Sequence, residues 1–230
     1  MSTLFWYLLL MIPLLALQTL LIAAASDLAP LEALLQARFE RENLRLRFVL
    51  GSSGQLANQI RHGAPYDVYL SANEGFVNDL REEKFLVETV RYAKGRLALL
   101  GTASLPDLLK PGIRHVAMAN PAHAPYGVAA RQALELAGLW PRLEAKIVLA
   151  ENVRQTVQFV ESGNAEAALT AWSLVKDKRG AVKLPGSVSQ AGGIVARSRN
   201  QAAARRFLAF LTSREGRKLL AAAGFDPPVQ

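Results

Sequence analysis

The 230-residue chain contains no cysteine. Disulfides, thiolate metal centres, cysteine nucleophiles and a lipidated N-terminal cysteine are thereby excluded, while reducing and oxidising compartments both stay open. Histidine is nearly as scarce: His62, His115 and His123 are the three, far apart and without metal-ligand spacing, and read as surface or loop residues. No fixed-period repeat and no low-complexity tract occurs, which excludes solenoids and biased linkers. Charge is missing from the whole N-terminal stretch, since no charged side chain occurs from Met1 to Ser26 and the first basic side chain is Arg38.

What is present is ordinary globular material, 51% hydrophobic and 20% charged, long enough for one large domain or two small lobes. The net charge of +8 admits nucleic acid, an anionic membrane surface or an anionic ligand as partner. Lysines and arginines are scattered among acids, as in Arg38–Arg47 and Arg81–Lys84, and no nucleic-acid motif accompanies them. A solvated basic surface, with no nucleic-acid partner, is the reading.

Leu4–Leu15 is an apolar run of signal-peptide length, and Leu14-Leu15-Ala16 offers a small residue for cleavage, although a basic residue before the run is missing. A transmembrane anchor over Leu4–Ala25 competes with this. Gln18–Ala24, however, reads as the first strand of the domain, which leaves about a dozen apolar residues against the roughly 20 a spanning helix needs. Residues 1–16 are therefore expected to be a signal peptide, cleaved near Ala16.

Beyond it, strand-like and helix-like stretches alternate. Strands are predicted at Leu44–Leu50, Asp67–Leu70, His115–Ala119, Ile147–Ala150 and Ala167–Ala171, with an extended stretch over Val90–Leu100. Helices are predicted at Leu28–Phe39, with Ser26 near its N-cap, and at Gln55–His62, Asn73–Glu82, Val128–Ala137, Val153–Glu161, Ala203–Leu211 and Arg214–Ala223. Such alternation implies βαβ units and a doubly wound α/β sheet.

Two runs, AAASDLAP at Ala23–Pro30 and GSSGQLANQI at Gly51–Ile60, each place a serine at a strand end just before a helix-compatible stretch. A helix start carries unpaired N–H donors and the positive end of the macrodipole, so Ser26 and Ser53 are candidates to surround one oxyanion with hydroxyl donors. GSSGQ lacks the lysine and spacing of a Walker loop, and no G-x-S-x-G elbow surrounds Ser53. An exported hydrolase with Ser26 or Ser53 as nucleophile is disfavoured, because only His123 falls in a motif loop and no orienting acid is visible. Asp67 is expected to make structural hydrogen bonds, and Ser52 is assigned no role.

Together with GAPYDVYLSAN at Gly63–Asn73, NPAHAPYGVAARQAL at Asn120–Leu134, AENVRQTVQFVESGNAEAALTAWS at Ala150–Ser173 and SREGRKLLAAAGFDPP at Ser213–Pro228, these runs give six segments in order. In them the chain resembles the periplasmic molybdate-binding proteins of ABC importers, from about Gln18 to Pro228. The resemblance implies an α/β, two-lobed type II periplasmic-binding fold, each lobe a doubly wound mixed sheet with flanking helices. One lobe would comprise residues 17–92 plus 193–230, the other 93–192. It further implies a non-enzymatic, monomeric periplasmic protein that captures molybdate, and tungstate with it, for a membrane permease and ATPase. Ser26 and Ser53 match hydroxyl ligand positions, and Tyr126 and Val153 match backbone N–H ligand positions. No cation site and no cofactor are implied. Some members use a tyrosine hydroxyl where this chain has Ala171; Thr170 and Ser173 lie nearby but are not assigned to the site. A protein for another tetrahedral oxyanion, such as sulfate or phosphate, and a membrane-anchored anion sensor are the alternatives.

Overall fold

The computed structural model describes residues 18–228. The expected leader lies outside the described residues, and among those described no helix is long and apolar enough to cross a membrane.

Among the described residues, ten strands form two five-stranded sheets. The chain runs β1 (Gln18–Ala25), α1 (Glu32–Glu40), β2 (Leu44–Gly51), α2 (Ser53–Arg61), β3 (Val68–Ser71), α3 (Glu74–Glu82), β4 (Leu86–Gly95) and β5 (Leu97–Leu100). It continues through β6 (Val116–Ala119), α4 (Pro125–Leu136), α5 (Trp140–Leu143), β7 (Ile147–Ala150), α6 (Val153–Glu161), β8 (Ala167–Ala171), α7 (Trp172–Val175) and β9 (Val182–Lys183). It closes with β10 (Val188–Val195), α8 (Gln201–Thr212) and α9 (Arg214–Ala222). The first sheet has the order β2-β1-β3-β10-β4 and the second β7-β6-β8-β5-β9. In each, four strands run the same way and one runs against them: β10 is antiparallel to β3 and β4, and β5 to β8 and β9.

The strands read as nearly continuous apolar runs because both sheet faces are covered. Along β1, Leu20, Ile22 and Ala24 enter the core with Phe39 of α1 and Phe207 of α8, while Ala23 enters the opposite core with Leu56 and Ile60 of α2. In β6, Val116 and Met118 face a core with Leu134 of α4, and Ala117 faces Val157 of α6.

The chain passes between the sheets twice, at Arg96 and just before β10. Arg96 ties the crossings together: its side chain donates to Asp226 and, at 3.1 Å, to the carbonyl of Gly186, while its carbonyl accepts from Trp172 N at 2.8 Å. β4 and β10 pair with each other through residues 86–95 and 188–195, so the first sheet extends across both expected lobe boundaries, 92/93 and 192/193.

Two helix starts differ from expectation. Ser26 does not cap an α-helix: Ser26–Leu31 is a 3-10 segment, and α1 begins only at Glu32. Pro30 accounts for this, since it lies inside the segment and has no N–H to donate to a carbonyl one turn back. Helix α4 begins at Pro125, three residues before the predicted Val128, which places Tyr126 in its first turn. Proline suits that position because its missing N–H would be unpaired there anyway.

Candidate functional site

All the loops that carry the predicted residues follow the carboxyl ends of parallel strands, where open α/β sheets place their ligands. Ser26 follows β1, Ser53 follows β2, Tyr126 lies beyond β6 and Val153 beyond β7. The first two belong to the first sheet and the last two to the second. All four line one narrow void between the sheets, whose cavity volume is about 10 Å³, together with Asp27, Ser52 and Ala72. The residues that line it are themselves buried: Ser53 is 0% exposed, Ser26 and Tyr126 2%, Val153 4%.

The serines are held with their protons available. Ser53 Oγ accepts from the Ala72 amide at 3.0 Å, and Ser26 Oγ accepts from the Arg154 amide at 3.3 Å across the void. A hydroxyl that accepts one N–H still has its own O–H to donate. Ser53 is fixed further from below, because Tyr69 Oη donates to its carbonyl at 2.7 Å.

Three amides at helix starts are left without an intrahelical acceptor by helix geometry. Ser53, Tyr126 and Val153 lie in the first turns of α2, α4 and α6, so no carbonyl four residues back can accept from them. Asn152 caps α6, accepting from Arg154 N and Gln155 N at 3.1 and 3.2 Å, and thereby leaves the Val153 amide unclaimed by the cap. The three helix starts bring positive dipole ends to one place, and no lysine or arginine lines the void. Preorganised N–H and O–H groups without a buried cation match a small tetrahedral oxyanion, which has acceptor oxygens all round and nothing to donate.

Sequence reasoning missed several participants. Asp27, 0% exposed, is the one acidic or basic residue among those that line the void. Its Oδ2 accepts from Tyr126 Oη at 3.0 Å and from Gln190 Nε2 at 2.7 Å, and Tyr92 Oη donates to Gln190 Oε1 at 3.0 Å. Its Oδ1 is buried without a hydrogen-bond partner. Desolvation by burial pushes the Asp27 pKa up to about 7, against smaller downward pulls from Tyr126, Gln190 and the nearby amides of Asp27 and Leu28. The signal in the sequence was a lone acid inside a run of small apolar residues. The Tyr126 phenol, passed over in favour of its peptide, is part of this network.

Ser52 and His123 form a second cross-sheet connection. Ser52 Oγ and His123 Nδ1 are 2.8 Å apart, and the Gly54 amide donates to the His123 carbonyl at 2.9 Å. A Cβ on residue 54 would lie 2.8 Å from that carbonyl oxygen, so glycine permits the approach. Ser52 is thus no bystander, and His123 is more than a loop histidine. His62 Nδ1 meets its own helix at Asn58 O, 2.9 Å away, and His115 lies beside Glu166 at 3.8 Å. Among the described residues no group of three or more His, Cys, Asp or Glu side chains is arranged to hold a metal ion.

Thr170 and Ser173 have their protons committed elsewhere. Thr170 Oγ1 donates to Val153 O at 3.2 Å and Ser173 Oγ to Asp27 O at 2.8 Å, so neither hydroxyl replaces a phenol at Ala171. Asp67 is structural: Oδ2 accepts from Leu21 N at 2.8 Å, and Oδ1 from Ser198 Oγ at 2.6 Å and Asn200 Nδ2 at 3.2 Å.

A sequence profile of the bacterial extracellular solute-binding proteins matches residues 20–226. The molybdate-binding protein ModA of Rhodobacter capsulatus is 31% identical over 199 residues, covering 81% of this chain and 79% of its own. The solved structure of the Azotobacter vinelandii periplasmic molybdate-binding protein superposes with a TM-score of 0.85 at 28% identity, covering 91% of this chain and all of that one. The sulfate-binding protein SubI of Mycobacterium tuberculosis superposes with a TM-score of 0.71 at 14% identity, over 91% of this chain and 87% of its own, and shares the fold.

Proposed function

The chain belongs to the bacterial extracellular solute-binding proteins, and from that premise we propose that it captures molybdate, and tungstate with it, between its two sheets. The two sheets would be the cores of two lobes that close on the anion. The Ser26 and Ser53 hydroxyls with the Ser53 amide would donate from one side, and the Tyr126 and Val153 amides from the other. The observation that carries this is the convergence of four separated segments, two from each sheet, on one narrow void without a cation. The names of the relatives supply the choice of anion.

The protein's part is binding, orientation and water exclusion. Closure strips the anion of hydration, and charge-assisted hydrogen bonds from fixed dipoles replace it, each contributing about 1.5–3 kcal/mol. Opening at the two crossings near Arg96 and Gly186 then releases the anion to the permease of an ABC importer, whose ATPase drives transport. We place the protein in the periplasm as a monomer, with residues 1–16 removed as a leader near Ala16. Nothing in the reading calls for a cofactor or for catalysis.

Calorimetric titration with molybdate, tungstate, sulfate and phosphate tests the choice of anion. Stoichiometric binding of molybdate and tungstate, with sulfate and phosphate far weaker, is expected from the larger size of the first two. Equal or preferred sulfate binding would overturn it.

A further inference from the structure

Asp27 poses an electrostatic problem for any anion site at this void. An ionised carboxylate beside a dianion, with no lysine or arginine lining the space, would repel the ligand the other groups attract. The hydrogen-bond pattern resolves the conflict. Both side-chain donors that reach the carboxyl, Tyr126 Oη and Gln190 Nε2, go to Oδ2, while the equally buried Oδ1 is left without a hydrogen-bond partner. An oxygen that carries a proton is a donor in search of an acceptor, and an anion oxygen is one.

We infer that the closed site takes up its dianion together with one proton, held on Asp27 Oδ1 and donated to the anion, so that Asp27 is a ligand and not a repelling charge. This rests on the oxyanion reading above. The proton comes from solvent when Asp27 is ionised before binding, and is already in place when it is not; no bond other than O–H forms or breaks.

The groups facing Asp27 favour this. Tyr126 of α4 and Tyr92 of β4 are phenols whose pKa values burial raises well above the ordinary range, so both are neutral donors. Gln190 of β10 and Ser173 of α7 are uncharged. From α6 the neighbouring amide belongs to Arg154, whose side chain is exposed, and His123 reaches Ser52 and not Asp27. Among the described residues, therefore, no cation is placed to hold Asp27 ionised. Burial already sets its pKa at about 7, and a dianion alongside pushes in the same direction.

Titration of the whole protein with sodium molybdate, at several pH values from 6 to 9 and in two buffers of different ionisation enthalpy, tests the inference. The protein should take up about one proton per anion at pH 9 and a small fraction of one at pH 6, with Kd weakening about tenfold per pH unit above the Asp27 transition. Asp27→Asn keeps His123 and should show neither the uptake nor the slope. Should Asp27→Asn fail to fold, infrared difference spectra of the parent at pH 9 serve instead. Molybdate addition should then bring up the C=O band of a protonated carboxyl. Tight binding without proton uptake or that band overturns the inference while the oxyanion reading stands. Absence of binding by the folded parent at every pH overturns both.

Discussion

At the scale of single residues, the account depends on which serine does what. Ser26 and Ser53 each accept one amide hydrogen and keep a proton for the anion. Alanine at either position should weaken molybdate binding about ten- to a hundredfold, the loss of one charge-assisted bond, while the backbone donors preserve residual binding. Ser52 reaches His123 across the void, so Ser52→Ala should cost less, about two- to tenfold, through the neutral hydrogen bond that helps hold the closed state. Titration of folded variants side by side checks the ranking. Asp27 gives a pH signature in the unliganded protein. Its pKa is about 7 when folded against 3.8 for the ordinary carboxyl. Between those values the folded state holds a proton that the unfolded state has lost, so stability falls as pH rises from about 4 to 7 and is level above. Asp27→Asn should therefore gain on the parent across that window, by about 4 kcal/mol at most, as read by denaturant unfolding at pH 4, 6 and 8. The serine positions were legible because a hydroxyl between a strand and a helix start has few other uses. The partners of Asp27 were not, since Tyr126 and Gln190 lie 99 and 163 residues away and only the fold brings them together.

At the scale of elements, the site is made of helix beginnings. Asn152 accepts from two amides at the start of α6, so Asn152→Ala should lower stability by about 1 kcal/mol and also weaken binding by loosening the turn that carries Val153. At the start of α2, Gly54→Ala would place a methyl 2.8 Å from the His123 carbonyl carbon's oxygen, an atom of the opposite sheet's loop. That substitution should leave the Ala side chain free in an open protein and obstruct closure, so affinity should fall with little change in the unliganded melting temperature. An equal fall in both would argue that the contact serves folding and not closure. Most elements were readable from alternation and helical spacing, with ends shifted by a few residues. Helix α1 starts late because of Pro30, and α4 starts early because Pro125 is compatible with a first turn. Strand β10, VSQAGGIV, was not read as a strand at all, because two adjacent glycines interrupt any alternation. It exists through pairing with β3 and β4 on either side, and Gly192 is needed there, since a Cβ would come within 2.7 Å of the Tyr69 carbonyl oxygen.

At the scale of the whole molecule, two sheets of the same strand order face each other across the void, joined where Arg96 binds Asp226 and Gly186. Periodicity announced βαβ units without saying which strands share a sheet, because sheet membership depends on pairing between residues far apart in the chain. The expected division into lobes came from resemblance, and β4 and β10 extend across it because they pair with each other over their whole length. A ligand bound between the sheets should stabilise the molecule as a unit, by about 2.7 kcal/mol at a hundredfold excess over Kd. The midpoint of a thermal melt should accordingly climb with molybdate concentration.

The central claim is a location, and anomalous diffraction at the molybdenum edge from crystals grown with molybdate reads it directly. The account predicts one strong peak in the void, within hydrogen-bonding reach, through the oxygens around it, of the Ser26 and Ser53 hydroxyls and the Tyr126 and Val153 amides. A peak elsewhere on the protein, with this void still unoccupied at saturating molybdate, would contradict it.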